Sequence, residues 1–125
     1  MAKTKIAIVE DDKTLSKYLS SSFRTDPLFE VLTADDGEAG VDLVKTEKPA
    51  IVLLDIIMPI KNGFEVLEAI KANDETKDIP VIMLSNLSQQ SDIDQAMKLG
   101  ATDFFVKVDY EPQEIIDKIK KILKM

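Results

Sequence analysis

The sequence predicts an α/β domain built on a five-stranded, doubly wound parallel sheet, with residues 1–125 forming one unit. Two observations predict it. Short apolar runs alternate with amphipathic stretches from one end of the chain to the other, five times over, the pattern of strands joined by helical crossovers. No Pro/Gly/Ser-rich linker or low-complexity segment interrupts them, and 125 residues suit a single core. A third observation concerns function: the polar residues of interest fall where the apolar runs end.

The first strand is expected at Lys5–Val9, running into Glu10-Asp11-Asp12. Asp12 is placed to cap the helix that follows, on which Leu15, Tyr18, Leu19, Ser22 and Phe23 recur at helical spacing. The second strand is Phe29–Thr33, followed by a helix over 36–47. The third is Ala50–Leu54, and after Asn62-Gly63 the spacing of Phe64, Leu67 and Ile70 marks another helix. The fourth is Ile79–Leu84, with a helix over 90–99 ended by Gly100. The fifth is Asp103–Val106. Ile115, Ile116, Ile119, Ile122 and Leu123 then form the buried stripe of the last helix, with Lys118, Lys120, Lys121 and Lys124 outside it. Those lysines also suit the negative end of the helix dipole.

Composition narrows the chemistry. With 16 basic and 23 acidic side chains the formal charge is −7, which opposes direct nucleic-acid binding and adsorption to anionic lipid. Cysteine and histidine are absent, so thiol catalysis, thiolate metal sites, Ser-His-Asp triads and imidazole acid/base chemistry are excluded. Carboxylates, hydroxyls, lysines and backbone remain. The start "MAKTKIAIVEDD" lacks the apolar stretch of about 7–15 residues that a secretory signal needs, and Ile51–Ile60 is too short to span a bilayer, so the cytoplasm is the expected compartment.

In a doubly wound fold, ligands bind beyond the carboxyl ends of the strands. Acids close the first and third strands (Glu10, Asp11 and Asp55), Ser85 closes the fourth and Lys107 the fifth. Asp55 interrupts "IVLLDIIMP", and an unpaired buried carboxylate there costs several kcal/mol. The expectation is that its strand lifts it to the rim. Three carboxylates converging there repel one another unless a cation joins them, and hard oxygen donors suit Mg²⁺. An aspartate beside Mg²⁺, a lysine and a hydroxyl is equipped as a nucleophile toward phosphorus.

The motifs "IAIVEDD", "IVLLDIIMP" with "KNG", "VIMLSN" and "GATDFFVK" appear in that order, and through them the chain resembles the CheY-like receiver domain of two-component response regulators over nearly its whole length. The resemblance implies strand order 2-1-3-4-5 and a signalling domain rather than an enzyme acting on other substrates. It makes Asp55 the phosphoacceptor, charged by a histidine kinase or phosphotransfer protein. Asp11 would bind Mg²⁺ directly, Glu10 mostly through water, and Ile57 through its backbone carbonyl. Ser85 would be the switch hydroxyl, Lys107 the bridge to a phosphoryl oxygen, and Phe104 the aromatic that follows Ser85. Residues 88–124 would form the surface read by a partner, by a second copy in a homodimer or by an output domain. No output domain is visible in these 125 residues.

Three departures stand out. The family's lysine is usually followed by a cis proline; here Val108 follows, and a trans bond with a rearranged Asp109-Tyr110 loop is expected. Phe104 lacks a hydroxyl. Ile57 and Leu87 are apolar two residues beyond Asp55 and Ser85, where they should hinder attack by water and prolong the phosphoryl state. Two enzyme or cofactor readings fail on residues. A haloacid-dehalogenase-type phosphatase needs a second aspartate at position 57, and a flavodoxin-type module needs a hydroxyl-rich loop where Glu10-Asp11-Asp12 stand. A pseudo-receiver working without phosphorylation is the remaining alternative.

Overall fold

Residues 3–87 and 89–125 are described by the structure, a computed structural model. The strands are β1 (Thr4–Val9), β2 (Phe29–Ala34), β3 (Ile51–Leu54), β4 (Val81–Ser85) and β5 (Asp103–Val106). The helices are α1 (Lys13–Arg24), α2 (Gly37–Glu47), α3 (Gly63–Ala72), α4 (Gln90–Lys98) and α5 (Pro112–Ile122). All strands are parallel, in the order 2-1-3-4-5. Sequence-based bounds hold within one or two residues. β4 starts at Val81 rather than Ile79 because Pro80 has no N–H to give the ladder; its carbonyl still accepts from Val52. Among the described residues no helix is long and apolar enough to cross a membrane.

Side chains alternate across the strands, so each continuous apolar run feeds two cores at once. Ala7, Val9, Val52, Leu54, Val81 and Met83 pack against Val41 and Val44 of α2, Val66, Leu67 and Ile70 of α3, and Ala96 of α4. Ile6, Ile8, Ile51, Leu53, Ile82, Leu84 and Phe105 meet Leu19 and Phe23 of α1 and Ile115, Ile116 and Ile119 of α5. Tyr18, placed on the inward face by spacing alone, is instead 56% exposed, and α1 buries Leu19, Ser20 and Phe23. The helix starts agree with their sequence signals: Asp12 accepts from the N–H groups of Thr14 and Leu15, and Asn62 and Glu65 form a reciprocal capping box. Gly100, at φ 104°, closes α4 in the left-handed conformation.

The register carries the strand ends to one rim. Val9 lies opposite Leu54, so Glu10 and Asp55 emerge side by side, and Ser85 lies opposite Val106, one residue before Lys107. The ladder continues past the strands, with Glu10 N–H donating to Ala34 O and Asp55 N–H to Val9 O, both at 3.0 Å. The loop after β3 then folds back tightly: Gly63 N–H donates to Ile56 O at 2.7 Å. Ile56 and Met58 are tucked inside while Ile57 and Ile60 face solvent, and Ile60 sits at φ 71°, a strained conformation for a β-branched residue.

A Cβ at position 63 would lie 2.2 Å from the Asp55 carbonyl oxygen, so only glycine permits this fold-back. Gly63→Ala should cost about 1–3 kcal/mol in urea unfolding and perturb the backbone amide resonances of Asp55 and Ile56. Gly100→Ala should cost about 1–2 kcal/mol through its φ alone and leave those resonances in place. Equal perturbation of Asp55 by both substitutions would contradict the close approach.

Candidate functional site

Glu10, Asp55 and Lys107 meet at the carboxyl ends of β1, β3 and β5. Lys107 Nζ lies 2.5 Å from Glu10 Oε1 and 3.0 Å from Asp55 Oδ2. Asp55 Oδ1 accepts from the Ile56 N–H at 2.8 Å, and Glu10 Oε2 from the Asp12 N–H at 3.2 Å. Asp55 is only 7% exposed and Glu10 3%. This corrects the expectation that the strand lifts Asp55 clear of the interior: it reaches the rim and is nevertheless buried. An ion pair and a backbone donor, rather than water, compensate its charge.

One ammonium between two buried carboxylates leaves a negative charge without a partner. Burial pushes the Glu10 carboxyl up to about 7, with the hydrogen bond and charge of Asp55 acting in the same direction and Lys107 against them. Burial pulls Lys107 down, but its hydrogen bonds to Glu10 and Asp55 outweigh that and hold the ammonium above its ordinary value. The site therefore has an appetite for positive charge. Glu10, Asp11 and Asp55 each offer a carboxylate oxygen, and these oxygens all lie within 4.8 Å of one another. An all-oxygen set of that size fits a hard divalent cation such as Mg²⁺.

The other predicted residues fall around this centre. Asp11 is exposed at the rim beside the buried pair. The Ile57 side chain is 63% exposed, two residues past Asp55. Ser85 is 1% exposed, and its hydroxyl accepts from the Leu87 N–H at 3.2 Å, engaged in the turn that follows β4. Phe104 is half-buried against the α2–α3–α4 side of the sheet. The Lys107-Val108 bond is trans, as expected, and Lys107–Asp109 form one turn of 3₁₀ helix. That turn carries Tyr110, to which the sequence reading gave no role; the signal was an aromatic three residues past the strand-end lysine. Ser88, the first residue of the predicted output surface, lies outside the described residues.

Because the metal-free fold favours a protonated Glu10, that contribution to stability is fully present below the ordinary value of 4.5 and is lost as pH rises through about 7. In EDTA, Glu10→Gln should gain stability relative to wild type between about pH 5 and about pH 8 in paired urea titrations. A difference that does not change with pH would rule out burial as the controlling influence on Glu10.

Comparison with known proteins agrees with this geometry. Residues 6–120 match the response regulator receiver domain family. The transcriptional regulatory protein CpxR of Escherichia coli K12 is 34% identical over 120 residues, covering 96% of this chain and 49% of that protein. The chain spans about half the length of the curated relatives it matches. The signal receiver domain of a DNA-binding response regulator from Colwellia psychrerythraea is 27% identical with a TM-score of 0.88, covering 98% of this chain and 100% of that one. A chain of the CheX–CheY–BeF₃–Mg²⁺ complex from Borrelia burgdorferi is 29% identical with a TM-score of 0.86, covering 96% and 89%. The match takes in residues of all five strands together with the acids and the lysine that converge at their ends, and the chain belongs to the family of response regulator receiver domains.

Proposed function

We propose that Asp55 accepts a phosphoryl group from the phosphohistidine of a histidine kinase or phosphotransfer protein. The observation that carries this reading is the Lys107 ammonium on Asp55 Oδ2, within a group of carboxylates fit for a divalent cation. An Asp55 oxygen attacks phosphorus, the new O–P bond replaces the P–N bond, and the electron pair of that bond leaves with the imidazole. Asp11, Asp55 and the Ile57 carbonyl would hold Mg²⁺, with Glu10 contributing mostly through water. Bound Mg²⁺ supplies charge neutralisation on the phosphoryl oxygens. The Ile56 N–H fixes the Asp55 carboxylate through the oxygen that Lys107 leaves free, so the nucleophile is oriented before the donor arrives.

Lys107 then moves with the charge onto a phosphoryl oxygen. The Ser85 hydroxyl exchanges the Leu87 N–H for a bond it donates to another oxygen, and Phe104 repacks behind it. This shifts a two-state equilibrium at residues 88–124, the surface presented to a downstream protein, an output domain or a second copy. The domain is a cytoplasmic signalling module, and with a net charge of −7 it makes no direct contact with nucleic acid. The Lys107 geometry, kept with a trans bond before Val108, favours this over a module that works without phosphorylation.

Incubation with acetyl phosphate and Mg²⁺ should add one phosphoryl group by intact mass, and none without Mg²⁺ or in Asp55→Asn. A gain in Asp55→Asn equal to wild type would sink the assignment. The exposed Ile57 and half-buried Leu87 give a second expectation. In the Ile57→Asn, Leu87→Glu variant the phosphoryl lifetime, followed by mass, should shorten by about tenfold or more because water can then be oriented. An unchanged lifetime would remove these side chains from the account.

A further inference from the structure

The turn that carries Lys107 lacks the proline that usually stiffens it, and little in the turn itself replaces that constraint. Val108 is 79% exposed, Asp109 is exposed, and the turn has no side-chain cap. Its far end is held differently. Tyr110 N–H closes the turn onto Lys107 O at 3.4 Å, and the Tyr110 ring lies on Phe105, with centroids 4.9 Å apart and planes tilted by 34°. Phe105 is 2% exposed in the α1–α5 core, so it is a fixed platform. From α5, Lys118 Nζ covers both rings, 5.5 Å from the Phe105 centroid and 5.6 Å from that of Tyr110. Pro112, at the first turn of α5, and the Glu111 N–H donating to Glu114 Oε1 at 3.0 Å fix the chain just beyond.

We infer that Tyr110 is a positioning residue for Lys107. Phe105 and Tyr110 bracket the lysine, one in the strand before it and one after its turn, and their stacked rings set where that turn can lie. The Lys107 stem thus starts from a fixed backbone, and its ammonium reaches Glu10 and Asp55 without a search over turn conformations. The aromatic ring does the work, so Tyr110→Phe keeps the function and Tyr110→Ala loses it. The kinetic half of this inference rests on the phosphoacceptor reading; the placement of Lys107 does not.

Two measurements test it. In competitive labelling with acetic anhydride read by peptide mass spectrometry, Lys107 should label several-fold faster in Tyr110→Ala than in wild type. It should stay at the wild-type level in Tyr110→Phe. Lys71, which donates to the carbonyls of Lys77 and Ile79 far from this turn, reports on general loosening and should not change. In phosphorylation by acetyl phosphate, Tyr110→Ala should be slower by about tenfold, short of the roughly hundredfold that a 1 Å misplacement can cost. In a Lys107→Ala background the same substitution should have no further effect, because its action runs through the lysine. Unchanged Lys107 labelling in Tyr110→Ala overturns the inference, whether or not Asp55 takes a phosphoryl group. So does a rate loss that persists in full without Lys107, or a parallel rise at Lys71. If wild type takes no phosphoryl group while Lys107 labelling responds as described, the phosphoacceptor reading falls and the positioning role stands.

Discussion

Two carboxylates and one ammonium share a pocket from which water is nearly excluded, and the rim of the sheet is organised around that imbalance. Glu10 comes from β1, Asp55 from β3 and Lys107 from β5, so the lysine reaches across the end of β4 to its partners. Removing Lys107 would leave two buried carboxylates without compensation, and breaking a buried pair in this way costs roughly 3–5 kcal/mol. The register pairs that set Val9 against Leu54 and Ser85 against Val106 are therefore constraints on the site as much as on the sheet. A slip of one residue would turn the carboxylates onto the opposite faces. Local strain sits in the loop after β3, at the left-handed Ile60, while Gly63 permits the close fold-back without a Cβ in the way.

The architecture was legible in the sequence because both faces of a parallel sheet are covered. Five apolar runs separated by capped helices leave few other arrangements, and strand ends in an α/β sheet are where chemistry gathers. Glu10, Asp55 and Lys107 could thus be brought together without coordinates. What the sequence did not carry is depth and direction. Asp55 was expected clear of the interior and is buried, because a strand's end is visible in the pattern while the loop folding back over it is not. Tyr18 fits the helical spacing but faces solvent, since α1 rests on the sheet through Leu19, Ser20 and Phe23. The Ser85 hydroxyl has several possible partners, and only coordinates show that it accepts from Leu87. The stack of Tyr110 on Phe105 joins a strand to the residue after a turn, a contact no periodicity encodes.

On the proposed phosphoacceptor reading, charge counting connects this resting arrangement to a switch. With Glu10 ionised, three carboxylates at the rim against one lysine leave two negative charges over, which a divalent cation would balance. A phosphoryl group on Asp55 replaces one negative charge with about 1.5 to 2, so the balance is lost again, now on oxygens further out than the carboxylate. Lys107 is already committed to this pocket and can only move within it. An additional hydrogen-bond donor would come from a neutral group at the same rim, and Ser85, buried at the end of the strand that Lys107 crosses, is one such group. Drawing its hydroxyl away from Leu87 frees an N–H in the turn leading to α4. An unpaired backbone donor there favours a different path for that turn. On that reading, charge added at β3 would be felt at α4 through a hydrogen bond exchanged at β4, and the surface beyond would respond as the freed N–H found a new partner.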